Sequence, residues 1–212
     1  MANYRYIAIE GNIGAGKTTL ATMLSRHLNS RLILEEFEEN SFLPKFYEDP
    51  SRYAFPLELS FAASRFNQLK AQLFEQDLFN NHIVADYIFY KCLIFAKTNL
   101  KEDEYELYLK LFEIINQQLP QPDLLLFLQT PVNKLQRQIR KRGRSYEQNI
   151  RDEYLLHLQD GYRDFMNTNA HLKIVLIDNT NLDFVEQPDQ FAALCNLLSR
   201  DFEPGINRVA IS

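Results

Sequence analysis

A chain of 212 residues, 46% of them apolar and with a formal net charge of −5, is long enough for one domain with a full core and too acidic for a general nucleic-acid binder, which carries a basic face. No apolar run approaches the roughly 20 residues that cross a membrane, and the first residues lead straight into a strand pattern, so neither a membrane partner nor a signal peptide is expected. Cys92 and Cys195 lie far apart within apolar helical patterns, which fits two reduced thiols of a cytoplasmic protein better than a disulfide or a zinc site.

Residues 4–10 form a β-branched and aromatic run that predicts a buried strand. Gly11-Asn12-Ile13-Gly14-Ala15-Gly16-Lys17-Thr18 follows and fits G-x-x-x-x-G-K-[ST] at every fixed position. Apolar residues at Leu20, Met23, Leu24 and Leu28 then predict a helix over 19–28. A glycine-rich turn between strand and helix aims several backbone N–H groups, and the positive end of the helix, at one small volume. Lys17 can reach the β- and γ-phosphates of a nucleoside triphosphate, and the Thr18 hydroxyl can ligate Mg²⁺. ATP and Mg²⁺ are therefore expected on the residues from Gly11 to Thr18 and on the adjoining Thr19.

A second strand is predicted over 31–35, ending among the acids Glu35, Glu36, Glu38 and Glu39. Residues 40–56 read as irregular, broken by Pro44, Pro50 and Pro56, and a long helix is predicted over 57–79. A third strand over 82–86 closes on Asp86, and two helical segments over 88–97 and 104–119 flank a polar stretch. The run 122–128 is the most apolar in the chain and predicts a central strand. Pro131 suits the first position of a helix that runs to about Arg140. A helix over 147–167, a fifth strand over 171–178 and a last helix over 189–199 complete the pattern, with 203–212 left as a C-terminal tail. Strands alternating with helices imply a parallel sheet covered on both faces. The expectation is a single α/β domain over 1–202 with a five-stranded sheet.

Ligands in such sheets sit beyond the carboxyl ends of the strands, which gathers the loop, Glu35, Asp86, Gln129 and Asp178 on one rim. Glu35 could accept a proton from a substrate hydroxyl, or belong to a solvated acidic run. Asp86 could hold the metal, or cap the segment that starts at Tyr87. Arg137, Arg140, Lys141, Arg142 and Arg144 surround Gly143 in an otherwise acidic chain. Guanidinium groups on a hinged loop could close over a transferring phosphate as a lid; the plainer alternative is a solvated charged face.

Taken together, the loop, Leu34-Glu35-Glu36-Phe37-Glu38-Glu39-Asn40, the stretch from Phe42 to Pro50 and Arg142-Gly143-Arg144-Ser145-Tyr146-Glu147-Gln148 resemble the deoxynucleoside kinase family. The resemblance implies a three-layer P-loop NTPase fold with a five-stranded parallel core, an arginine-rich lid and a helix-paired homodimer. It implies that a deoxynucleoside is phosphorylated on its 5′-hydroxyl, with Glu35 as the base. Tyr47 and Glu147 then hold the 3′-hydroxyl, Arg65 lies near the nucleobase, Asp86 matches the acid of a Glu-Arg-Ser or Asp-Arg motif, and Arg142 and Arg144 match the lid arginines.

Three positions depart from the pattern. Tyr87 stands where an arginine usually follows the strand-three acid, with Lys91 about a turn further on; Glu36 replaces a proline; and Glu58 replaces a base-reading glutamine. An ionised carboxylate only accepts hydrogen bonds, which suits the paired N1–H and N2–H donors of guanine and favours a purine deoxynucleoside, deoxyguanosine slightly ahead of deoxyadenosine, with deoxycytidine left open. Arg65 could instead neutralise Glu58 and restore a mixed edge. A nucleoside monophosphate kinase of the thymidylate type and a non-catalytic nucleotide-binding switch remain as alternatives.

Overall fold

The computed structural model describes residues 3–36, 40–75 and 82–211. Strand β1 (Tyr6–Gly11) is buried along its whole length and passes through the glycine-rich turn into helix α1 (Lys17–Leu28). Then come β2 (Arg31–Ile33), α2 (Leu43–Glu48), α3 (Pro50–Phe74), β3 (Ile83–Ala85), α4 (Lys91–Asn99), α5 (Glu102–Asn116) and β4 (Leu124–Gln129). The chain continues through α6 (Val132–Arg142), a 3-10 turn at Ser145–Glu147, α7 (Asp152–Thr168), β5 (Lys173–Asp178), α8 (Pro188–Leu197) and β6 (Gly205–Val209).

All strands join one parallel sheet in the order β2-β3-β1-β4-β5-β6. Parallel neighbours need crossovers, and the crossovers cover both faces. Alternate residues of each strand feed two separate cores. Tyr6, Ala8, Leu125 and Phe127 pack with Leu69, Cys92, Phe112 and Phe165 from α3, α4, α5 and α7. Ile7, Ile9, Leu124 and Leu126 pack with Leu20, Leu135 and Leu194 from α1, α6 and α8. This is the expected three-layer α/β arrangement. The chain builds β2 and β3 on one side of β1 and then crosses to β4 on the other. The crevice beyond the end of β1, where the order switches, is therefore the place for a ligand.

The sheet has six strands, not the five expected. Residues 203–212 were expected to be a tail, but they supply β6, which pairs with β5 from Lys173 opposite Gly205 to Ile177 opposite Val209. Asn207 and Arg208 interrupt the apolar pattern there, as an edge strand tolerates. The prolines also behave differently from expectation. Pro50 opens α3, where a missing N–H costs nothing, and Pro56 stands inside that helix. Ala54, Leu57 and Phe61, on both sides of Pro56, pack against Phe46, and this burial outweighs the lost backbone hydrogen bond. Pro131 sits just before α6 with an extended ψ of 148°, not within it. Both β2 and β3 stop short, at Ile33 and Ala85, so Glu35 and Asp86 lie in the loops beyond the strand ends. The helix expected from 147 begins at Asp152, after the 3-10 turn. Glu38, Glu39 and the expected helix end at Phe79 lie outside the described residues.

Candidate active site

The Gly11–Thr18 loop owes its shape to glycine at two points in particular. Gly16 adopts a left-handed φ of 94° immediately before α1. At Gly14, φ is 82° and an added Cβ would lie 2.9 Å from the Leu135 carbonyl oxygen, so both strain and the α6 backbone exclude a side chain. The loop is tied down by side chains from distant segments. Asn12 Nδ2 donates to the Leu155 carbonyl of α7 at 2.7 Å, and its Oδ1 accepts from the Ile13 N–H. Asn179 Nδ2 donates to the Ala15 carbonyl at 3.1 Å, while Lys134 Nζ donates to the Asn179 carbonyl at 2.7 Å. The Asn12 side chain is thus an anchor, and any contact it makes with phosphate is through its backbone.

Lys17 folds back over this loop, donating to the carbonyls of Gly11 at 2.8 Å and Asn12 at 3.0 Å. Burial, and next the nearby Lys91, pull its ammonium down to about 8, against the attraction of Glu10, Glu35 and Asp86. Thr18 Oγ1 donates to Asp86 Oδ2 at 2.6 Å. Asp86 Oδ1 accepts from the Glu35 N–H at 2.8 Å, so one carboxylate bridges the phosphate loop and the Glu35 segment. Asp86 does not cap the following helix: a turn intervenes, and α4 begins only at Lys91. Thr19 is exposed on the first turn of α1.

Glu35, with a side chain only 13% exposed, is held by two cations. Arg65 Nε and Nη2 donate to its Oε1 at 2.8 and 2.5 Å, and Lys91 Nζ donates to its Oε2. Burial alone would raise this carboxyl, but Lys91 and Arg65 together hold it well below the usual carboxylate range. Glu36 points elsewhere: it is exposed and accepts from Gln68 Nε2 at 3.0 Å. Tyr87, in place of the usual arginine, is fully buried and donates to Gln68 Oε1. Besides Arg65, the cation beside Glu35 comes from Lys91, one turn along from Tyr87.

The same cavity extends over Tyr47, Glu58, Phe61, Asn99, Glu147 and Tyr154. Glu58 Oε1 accepts from Asn99 Nδ2 at 2.7 Å. Arg65 does not pair with Glu58; besides Glu35 it reaches Cys92 Sγ, at 3.2 Å. Burial raises Glu58 to about 7, opposed first by the Asn99 hydrogen bond and then by the charge of Arg65. Tyr47 stacks on Tyr146 with ring centres 5.9 Å apart. Burial, then the neighbouring Glu147, push its hydroxyl above the normal tyrosine range.

In the arginine-rich segment, α6 ends on Gly143 with a left-handed φ of 76°. Arg142 and Arg144, on either side of that glycine, both pair with Glu147, Arg144 at 3.3 Å. Arg137 and Arg140 do not join them; they line an open groove with Gln136, Gln148 and Asp152. The structure thus brings Lys17, Thr18, Glu35, Tyr47, Glu58, Arg65, Asp86, Arg142, Arg144 and Glu147 around one cavity.

Sequence reasoning passed over Glu10. It is fully buried at the end of β1 and accepts from the Gly11 and Ile88 N–H groups and from the Tyr162 hydroxyl, at 3.1, 3.1 and 2.9 Å. Burial raises its pKa, against the pull of Lys91 and Lys17. A lone acid within an apolar strand was the available signal. Asn99 and Asn179 carried no comparable mark.

A model of the deoxynucleoside kinase family matches residues 7–202. The chain is 35% identical over 190 residues to the deoxyguanosine kinase of Bacillus subtilis, covering 88% of this chain and 92% of that one. It is 33% identical over 195 residues to the deoxyadenosine kinase of Dictyostelium discoideum, covering 89% and 77%. Among solved structures, deoxyadenosine kinase from M. mycoides with bound dATP superposes with a TM-score of 0.77 at 26% identity, covering 90% of this chain and 99% of that one.

Proposed function

We propose, because the chain belongs to the deoxynucleoside kinase family, that it transfers the γ-phosphoryl group of ATP to the 5′-hydroxyl of a deoxynucleoside, giving the 5′-monophosphate for nucleotide salvage. The observation that carries this is a single cavity lined both by Lys17 and Thr18 and by Glu35, Tyr47, Glu58 and Glu147. Donor and acceptor would share one cavity.

Phosphoryl transfer asks the protein mainly for positioning and for charge placed where charge develops. Glu35, kept ionised by Arg65 and Lys91, is a weak base and a well-oriented acceptor for the 5′-hydroxyl. Orientation matters more than basicity here, because in a loose transition state the nucleophile is little bonded. Lys91 supplies the fixed positive charge of the arginine absent after Asp86. Lys17 exchanges its two loop carbonyls for phosphate oxygens. The Thr18 hydroxyl and Asp86 carboxylate, adjacent at 2.6 Å, are the hard oxygen donors that suit Mg²⁺, a cation held by one or two protein oxygens together with waters and phosphates. Thr18 and Asp86 would hold the ion, which would supply positive charge to offset that of the triphosphate. Arg142 and Arg144 close over the transferring group from the Gly143 hinge, and Tyr47 and Glu147 take the 3′-hydroxyl.

The acceptor is a purine deoxynucleoside, with guanine ahead of adenine, on the strength of Glu58 in the base region and of the relatives' names. A monophosphate acceptor suits the cavity poorly: Arg65 is engaged by Glu35 and Cys92, and Glu35 and Glu58 would repel a phosphate. A homodimer in the cytoplasm completes the assignment. Leu107, Leu111 and Ile114, exposed at i, i+4 and i+7 on α5, offer the helix face for it, and no helix of the described residues is long and apolar enough to cross a membrane.

The test is ADP release with Mg-ATP against the four common deoxynucleosides, their monophosphates and a blank without acceptor. Turnover with deoxynucleosides is the expected result. Turnover with monophosphates alone would remove the role given to Glu35, and release independent of any acceptor would leave only a nucleotide-binding switch.

A further inference from the structure

Glu58 is 1% exposed, and its two carboxyl oxygens are not equivalent. Oε1 accepts from Asn99 Nδ2, whereas Oε2 is buried with no hydrogen-bond partner among the described residues. Both residues line the cavity assigned to the acceptor. A closed-in carboxyl oxygen without a partner is costly, and a proton, an ordered water or a donor from the ligand relieves it.

Resting on the assignment of Glu58 to the nucleobase, we propose that Glu58 reads the base through Oε2, with Asn99 holding Oε1, and that the presence of a proton on Oε2 decides which base is accepted. Without the proton, Oε2 accepts and matches the N1–H and N2–H edge of guanine. With the proton it donates, and matches the ring-nitrogen acceptor of adenine or cytosine. The wrong pairing sets acceptor against acceptor or donor against donor at a carboxyl that is 1% exposed, which leaves buried polar groups unpaired and so discriminates strongly.

The surroundings leave this proton as the variable one. Arg65 from α3 and Lys91 from α4 attract the charged form, and Glu35 repels it. Cys92 on α4, Tyr108 on α5, Tyr47 on α2 and Tyr154 on α7 also face Glu58, and burial raises all four above their ordinary values, which keeps them neutral. Glu58 itself, raised by burial to about 7, is present in both forms near neutral pH. Asn99 is a positioning residue here: it fixes the carboxyl plane and favours the charged form.

The experiment compares kcat/KM for deoxyguanosine and for deoxyadenosine between about pH 6 and pH 8. Taking the ratio cancels Lys17, whose titration at about 8 acts on both substrates alike. In the wild type the guanine-to-adenine ratio rises by up to about tenfold per pH unit, as a single titrating group requires. In Glu58→Gln, whose amide donates and accepts at every pH, the ratio is flat and turns toward adenine. In Asn99→Leu, which removes a bond to the charged form, the ratio is lower at each pH. A flat wild-type ratio overturns the role of the proton, and so does a slope that survives in Glu58→Gln. An unchanged ranking of bases in Glu58→Gln overturns the base assignment beneath it, so the two failures are told apart.

Discussion

Lys91 is the residue on which the site's electrostatics turn, and its removal has a calculable outcome. Lys91→Met keeps much of the side-chain length and deletes the ammonium that pairs with Glu35 Oε2. Glu35 keeps both Arg65 bonds to Oε1, so its charge is not orphaned. The stability loss is then about 1.5–3 kcal/mol, as for a lost hydrogen bond to a charged group, rather than the roughly 3–5 kcal/mol of a buried charge left unpaired. Catalysis suffers more. One preorganised cation beside the developing charge is worth about 2.7–4 kcal/mol, or roughly 10²–10³ in kcat. Lys91 also lowers the pKa of Lys17, so its loss moves the alkaline limb of kcat/KM, set by Lys17 at about 8, to higher pH. The assay is steady-state turnover with Mg-ATP and a saturating deoxynucleoside across the alkaline range, with Lys91→Arg in parallel. Loss of kcat, an upward-shifted limb and partial rescue by arginine are expected. A kcat within about threefold of wild type, or an unmoved alkaline limb, would refute the role argued for Lys91.

Two further outcomes follow from the hinge and from the buried acid. If Arg142 meets the transferring group rather than the ground-state sugar, as proposed, Arg142→Ala lowers kcat by about 10²–10³ while leaving the nucleoside KM within a few-fold; a KM effect alone would contradict this. Tyr162→Phe deletes a donor to the fully buried Glu10 and costs about 1–2 kcal/mol, a fall of about 2–8 °C in calorimetric Tm for a chain of this size; an unchanged Tm would mean that the bond contributes nothing.

What could be seen in the sequence was local in character. The phosphate loop is legible because its chemistry is carried by consecutive residues, and the neighbouring strand and helix confirm its context. Glu35 and Asp86 stood out as acids at strand ends, although the strands stop before them. Lys91 could be named only as a residue a turn away from a missing arginine; its contact with Glu35 depends on how α4 sits across the sheet. Glu10 takes its partners from β1, the loop after β3 and α7, a set no local pattern reveals. Asn99, the last residue of α4, looks like any polar residue at a helix end. β6 and the passage of α3 through Pro56 depend on packing, which overrides local propensity.

On the proposed roles of Glu147 toward the sugar and of Arg142 and Arg144 toward the phosphates, the clasp between them would make the two substrates thermodynamically interdependent. While Arg142 and Arg144 hold Glu147, the acid and both cations are engaged with one another within the cavity that Lys17 and Thr18 also line. A sugar hydroxyl that engages Glu147 frees the arginines for the triphosphate, and a triphosphate that draws the arginines over frees Glu147 for the sugar. Each ligand thus meets part of the cost of preparing the site for the other. The coupling is positive, and by linkage it is the same in both directions. A nonhydrolysable ATP analogue should bind several-fold more tightly when the deoxynucleoside is saturating, and the deoxynucleoside should gain by the same factor; equal affinities with and without the partner ligand would show that the clasp opens at no cost.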